Sequence, residues 1–155
     1  MTFTAGRTKG MKLKFDVYIS LAMHGRVGRD VLDQAEYTKM LLKKAGLSYY
    51  CPPDDEVVNP HKIIDKKPIR RVMAGYVKKD DCKVDSCRVL LNLTGDKSSS
   101  GVGWEMGRMF YKNRRPIVVV APRMYDGHLM NFTTIKATKI CPTISSAVNY
   151  IKRSC

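Results

Sequence analysis

No apolar run in this chain comes near the ~20 residues that a bilayer-spanning helix requires. The opening fourteen residues carry Arg7, Lys9, Lys12 and Lys14 without an apolar block, so a secretory leader is not expected there. Aromatic side chains are few, with one Trp and four Phe, and they do not interleave with cations as on single-strand nucleic-acid platforms. The five cysteines, Cys51, Cys82, Cys87, Cys141 and Cys155, form no C-x-x-C pair. Cys82 and Cys87 also lack a nearby pair of histidines to complete a zinc site. They read as reduced thiols of a cytosolic protein that holds no metal. Acidic residues are scarce as well: 14 Asp and Glu stand against 28 Lys and Arg, a net charge of +14. Such an excess keeps a protein soluble and favours an anionic partner, whether nucleotide, other phosphate or nucleic acid. The cations are spread over the N-terminal arm, residues 62–88 and residues 108–123, a distribution that does not favour nucleic acid.

What is present suits one domain over residues 15–155 behind a flexible basic arm at residues 1–14. At 155 residues the chain can bury a substantial core. "FDVYISLAM" (15–23) is a short apolar strand, followed by the turn "HGRVGRD". Asp30 then caps a helix that puts Val31, Ala35, Met40, Leu41 and Leu42 on one face and stops at Gly46. "LSYYCPP" (47–53) reads as a second strand ended by two prolines. "IRRVMAGYVKKDDCKVDSC" (69–87) carries a helix with Ile69, Val72, Met73, Tyr76 and Val77 inward, closed by Asp80 and Asp81. "RVLLNL" (88–93) and "RPIVVVAP" (115–122) are strands flanking the loop "TGDKSSSGVG" and the helix "WEMGRMFYKN". A short strand at "TKI" (138–140) precedes a closing helix over residues 143–154. Strands alternating with helices predict an α/β domain with a parallel sheet. In such sheets ligands bind beyond the carboxyl ends of the strands. "SLAMHGR", "LTGDKSSSG" and "APRMYDG" all fall there.

The segment "SSSGVGWEMGRM" (98–109) poses the chemical question. A glycine-rich turn entering a helix suits an anion, yet Glu105 stands in what reads as the first turn. An acid there complements the helix dipole, worth up to about 1 kcal/mol. The flanking Gly101 and Gly103 strip side chains from the approach to Glu105, which suits a nucleophile or base. Gly107 would let the helix pack closely on a strand. Asp80 or Asp81 is electrostatically disfavoured at a helix C-terminus, and is either solvated or placed for function. Paired with Glu105, one of them would supply the nucleophile-plus-acid division of labour used in glycosyl transfer. Tyr18 is either a core tyrosine or a hydrogen-bond donor to a carboxylate. His24, Gly25 and Arg26 make a plausible phosphate turn. Trp104 is either core packing or a wall for a base.

At "SSSGVGWEMGRMFYKNRRPIVVV" the sequence resembles the nucleoside 2-deoxyribosyltransferase superfamily, and most closely its branch of 2'-deoxynucleoside 5'-phosphate N-hydrolases. "GVGWEMGR" looks like that branch's G-V-G-Y-E-L-G-R, and "VYISLAMHG" resembles the family's opening strand. The likeness runs loosely from residue 15 to residue 151 and is specific only around Glu105. It implies a flavodoxin-like, Rossmann-like three-layer sandwich with a mostly parallel five-stranded sheet. It also implies that Glu105 attacks C1' of the deoxyribose, that Asp80 protonates the departing base, and that Tyr18 positions the nucleophile. Counting four residues back from Val84 selects Asp80 over Asp81. Asn131 looks like the asparagine that a neighbouring subunit lends to the transferases, which implies a homodimer or larger assembly. Transferases of free nucleosides have an aspartate six residues before the nucleophile; this chain has Ser99, as the phosphate-hydrolysing branch does. A hydroxyl beside backbone N–H groups accommodates a 5'-phosphate that a carboxylate would repel. Asp96, nine residues before Glu105, is the candidate to replace the missing aspartate. The expected function is therefore hydrolysis of a 2'-deoxynucleoside 5'-monophosphate, with phosphate contacts from Ser99, Gly101 and the basic turn and with no cofactor. Base exchange and a non-catalytic nucleotide-binding protein are the alternatives.

Overall fold

Alternation along "FDVYIS" sends Val17 and Ile19 to one face of a strand and Tyr18 and Ser20 to the other, and all four are fully buried. A strand buried on both sides belongs in the middle of a covered sheet, and that is where the computed structural model places it. The structure describes residues 12–22, 29–55, 78–96, 99–125 and 136–155. In chain order these form β1 (Phe15–Ser20), α1 (Arg29–Lys44), β2 (Tyr49–Tyr50) and α2 (Pro52–Asp55). A helix over residues 78–85, here α3, leads into β3 (Cys87–Asn92). Then come α4 (Ser100–Gly107), continued by a π-helix over Arg108–Asn113, β4 (Ile117–Val120), α5 (Pro122–Tyr125), β5 (Lys139–Cys141) and α6 (Ile144–Ser154).

The five strands form one sheet in the order β2-β1-β3-β4-β5, and every pairing is parallel. This is the flavodoxin-like α/β arrangement, wholly parallel where the sequence predicts mostly parallel. One face carries Val17, Ile19, Val89, Leu91, Val118 and Val120 against α1 and α6. The other carries Tyr18, Leu90, Ile117 and Val119 against α3 and α4, which supply Val84, Val102 and Met106. From β1 the chain steps to β2 on one side and later to β3, β4 and β5 on the other, so the topological switch lies between β1 and β3.

Several boundaries differ from the sequence reading. Helix α1 begins at Arg29, so Asp30 lies inside its first turn and does not cap it. Its inward stripe is Val31, Ala35, Thr38 and Leu42, while Met40 is 53% exposed because it falls on the opposite side of that i, i+4, i+7 row. Gly46 does end the helix, at φ +75°. Pro52 and Pro53 open α2, because the first turn of a helix needs no N–H donor. Helix α3 runs to residue 85, so Asp80 and Asp81 sit within it and not at its end. The inward residues expected at 69–77 lie outside the described residues. Helix α6 starts from a reciprocal capping box between Thr143 and Ser146.

Candidate active site

Glu105 does not stand in the first turn of its helix. Ser99 is the N-cap of α4: its hydroxyl accepts the Val102 N–H at 3.2 Å, and its carbonyl accepts the Gly103 N–H at 3.0 Å. The helix therefore begins four residues before Trp104, with Gly101 and Gly103 inside it, and Glu105 lies beyond the first turn. A role for Glu105 as a mere complement to the helix dipole loses its basis, since that effect fades after one turn. Val102, Met106 and Met109 form the buried row that seats α4 and its π-helical continuation on the sheet. Glu105 flanks this row and reaches β1.

There its carboxylate is held at both oxygens. The Tyr18 hydroxyl donates to Oε1 at 2.9 Å, and the Ser20 hydroxyl donates to Oε2. Tyr18 and Ser20 are two apart on β1, so the pleat points both at α4. The Tyr18 hydroxyl is pushed far above its ordinary pKa, first by burial, then by the charges of Glu105 and Asp80. It therefore remains a donor over the whole working pH range. The Asp80 charge thus acts on Tyr18 as well.

The floor is a buried polar layer at the carboxyl ends of β1 and β3. Ser20 lies opposite Asn92 in the parallel register. Asn92 Oδ1 accepts from the Thr94 N–H at 2.9 Å, and Thr94 Oγ1 accepts from the Ala22 N–H at 2.9 Å. Asn92 Nδ2 also contacts Met106 Sδ at 3.4 Å, next to Glu105 in sequence.

A second network fixes α3 to α4 and its π-helical continuation. Arg108 donates in a fork to Asp85, through Nε at 2.8 Å and Nη2 at 2.7 Å, and reaches Asp81 through Nη1 at 3.1 Å. Lys112 and Asn113 add donors to Asp85 at 2.8 and 3.0 Å. The wider π-helical turn makes this convergence: i→i+5 bonding brings residues 112 and 113 together beneath 108. Burial alone would raise the Asp85 pKa, but these donors outweigh it and bring it down to about 2. Trp104 is 59% exposed, so it is not core packing, and its Nε1 donates to Asp81 at 2.8 Å. Asp81 thus braces α3 against α4.

Gly101 borders open space, as an unobstructed approach requires. A Cβ at Gly107 would also meet open space, so close packing does not account for that glycine. Asp96 accepts the Arg123 N–H at 3.3 Å through Oδ2 at the head of α5 and makes no hydrogen bond to Glu105. His24, Gly25, Arg26 and Asn131 lie outside the described residues. Among the described residues no group of three or more His, Cys, Asp and Glu could hold a metal ion, and no helix is long and apolar enough to cross a membrane.

Ser20 and the Arg108–Asp85 fork were not anticipated. Ser20 had a readable signal, as a hydroxyl two residues after Tyr18 in an otherwise apolar strand. The fork had none, because a π-helical turn does not follow the 3.6-residue period.

No family model matches the chain, and no curated protein matches it significantly. Among solved structures it is similar to a conserved protein from Enterococcus faecalis V583, with TM-score 0.64 and 14% identity over 94% of this chain and 100% of that one. It is also similar to a 2-deoxyribosyltransferase from the psychrotolerant bacterium Bacillus psychrosaccharolyticus, with TM-score 0.65 and 16% identity over 87% of this chain and 91% of that one. At these identities the likeness is one of fold, and the five-stranded parallel α/β sandwich described above is the fold shared with that 2-deoxyribosyltransferase.

Proposed function

We propose that this protein cleaves the N-glycosidic bond of a 2'-deoxynucleoside 5'-monophosphate, releasing the free base and deoxyribose 5-phosphate. One observation carries the reading: a carboxylate, Glu105, is held by hydroxyls at both oxygens over the switch point of a parallel sheet, with Asp80 close by. In the first step a Glu105 oxygen forms a bond to C1' as the C1'–N bond breaks. The electron pair goes to the base, which takes its proton from the acid form of Asp80. In the second step water attacks C1', the ester bond breaks, its electron pair returns to Glu105, and the water proton passes to Asp80. The two displacements retain configuration.

The 5'-phosphate is assigned to the start of α4. Ser99 already accepts from Val102 and keeps its own hydroxyl proton to donate outward. The exposed Gly101 and the positive helix end complete an anion-friendly surface, and the +14 charge draws the substrate in. His24, Gly25 and Arg26 belong to the same phosphate proposal, and Asn131 to a shared-site dimer that sedimentation velocity would reveal.

Base exchange, in which a second base takes the sugar in place of water, is the second reading. It is favoured by the fold shared with a 2-deoxyribosyltransferase. A nucleotide-binding protein without turnover is the third. Chromatography of deoxynucleoside monophosphates, each beside its nucleoside, separates the three. Free base from the monophosphate, released far more slowly from the nucleoside, supports hydrolysis. A new nucleoside or nucleotide on adding an acceptor base supports exchange. An intact ligand that still raises thermal stability supports binding alone. Glu105→Ala should abolish base release, by 10³-fold or more on the order of nucleophile removal, while folding is retained. Near-normal turnover in that variant would sink the mechanism.

A further inference from the structure

We propose that Ser20 is a second positioning residue for Glu105, one that acts mainly when the glycosyl ester is hydrolysed. The proposal rests on Glu105 being the nucleophile.

Ser20 is fully buried as the last residue of β1, so its hydroxyl has no water to turn to. Its single proton goes to Glu105 Oε2, while Tyr18 serves Oε1. A carboxylate held at one oxygen can still swing about its last torsion; held at both, it cannot. The two donors stand on a central strand that pairs with β2 on one side and β3 on the other, so the clamp shares the rigidity of the sheet.

The clamp has opposite effects on the two chemical steps. Charge leaves the carboxylate as the C1'–O bond forms, and a donor to that charge opposes this step. Charge returns to the carboxylate as the ester breaks, and the same donor assists. A hydrogen bond to a charged group is strong enough to decide which step is slower. Tyr18 also borders Asp80 electrostatically, so its removal disturbs both carboxylates. The Ser20 hydroxyl bonds to Glu105 and to no second side chain among the described residues, which makes it the cleaner probe.

The test is Ser20→Ala alongside Ser20→Cys, the latter nearly isosteric but a weak donor, which guards against a packing defect. In both, kcat should fall about 10-fold while kcat/KM stays within about threefold. Intact-protein mass spectrometry of quenched turnover should show a deoxyribose phosphate ester that is scarce in the wild type. A parallel fall in kcat and kcat/KM without the ester, or no change in either, overturns the proposal. The nucleophile reading has its own control: full activity in Glu105→Gln refutes that reading, whatever Ser20 does. In that event crystal structures still judge the clamp. A Glu105 carboxylate that turns in Ser20→Ala supports it, and one that keeps its wild-type orientation removes Ser20 from any positioning role.

Discussion

Asp85 shows how a single buried charge ties the site together. It is 2% exposed, yet four donor groups from three residues of the π-helical turn satisfy its two oxygens. Its pKa falls from the ordinary 3.8 to about 2, so the ionised form stabilises the fold. The sign follows from linkage. A carboxyl with a depressed folded-state pKa contributes fully above its unfolded value, and the contribution disappears as pH falls from about 4 towards 2. At about 1.4 kcal/mol per pKa unit the contribution is on the order of 2 kcal/mol. Asp85→Asn should therefore lose at least about 2 kcal/mol at pH 7, where Lys112 is left without its counter-charge and Arg108 keeps only Asp81. Urea titrations of both proteins between pH 7 and pH 2 should show that gap closing below pH 4. A gap independent of pH would mean that shape, and not charge, holds this junction. Burial acts the other way on Cys87, whose thiol is pushed up to about 12 and is left unreactive.

At the scale of elements, the loop leaving β3 is set by one close approach. A Cβ on Gly95 would lie 2.3 Å from Val119 Cγ1 and 2.8 Å from both Ala121 Cβ and the Val120 carbonyl oxygen. The Gly95 N–H also donates to that carbonyl at 2.9 Å, which fastens the loop to the end of β4. Two of these neighbours, the Val120 carbonyl and the Ala121 Cβ, are fixed at the end of β4, so the clash cannot be relieved by a rotamer. Gly95→Ala should destabilise by about 1–3 kcal/mol and lower activity by shifting the loop that feeds α4. A melting temperature within a degree of the wild type would show that the loop has slack. The strands were legible in sequence because short, continuous apolar runs mark strands buried on both faces. The closing helix was read from residue 143, and Thr143 is the residue that caps it. The start of α4 was not legible. Three serines and two glycines read as loop, yet Ser99 caps and Gly101 and Gly103 are wound into the first turn, where tertiary packing of Val102 and Met106 overrides weak propensity. Glu105, Tyr18 and the pair Asp80 and Asp81 were legible as candidates from residue type and setting, whereas the choice of Asp80 and the roles came through resemblance. How they meet depends on which strand a helix crosses, and no local spacing encodes that.

The whole molecule adds a field to these contacts. The chain carries 28 cations against 14 acids, and its proposed substrate bears phosphate. A positive surface raises the local concentration of an anionic substrate and accelerates encounter, but screening weakens it as the Debye length shrinks from about 10 Å at 0.1 M salt to about 3 Å at 1 M. A short-range contact between phosphate and Ser99, as proposed, would be far less screened. Two contributions to phosphate preference can therefore be separated. Raising salt to 1 M should lower kcat/KM for a deoxynucleoside monophosphate several-fold and leave its nucleoside nearly unchanged. Ser99→Asp should instead penalise the monophosphate at every salt concentration, by about 10- to 100-fold, because it sets a carboxylate against the phosphate and removes a donor. Aspartate also caps helices well, so α4 should survive the change. Steady-state kinetics on the matched pair of substrates at both salt concentrations decides the matter. Equal losses for monophosphate and nucleoside in Ser99→Asp would take the phosphate away from the start of α4 and leave the overall field as the sole source of any preference for charge.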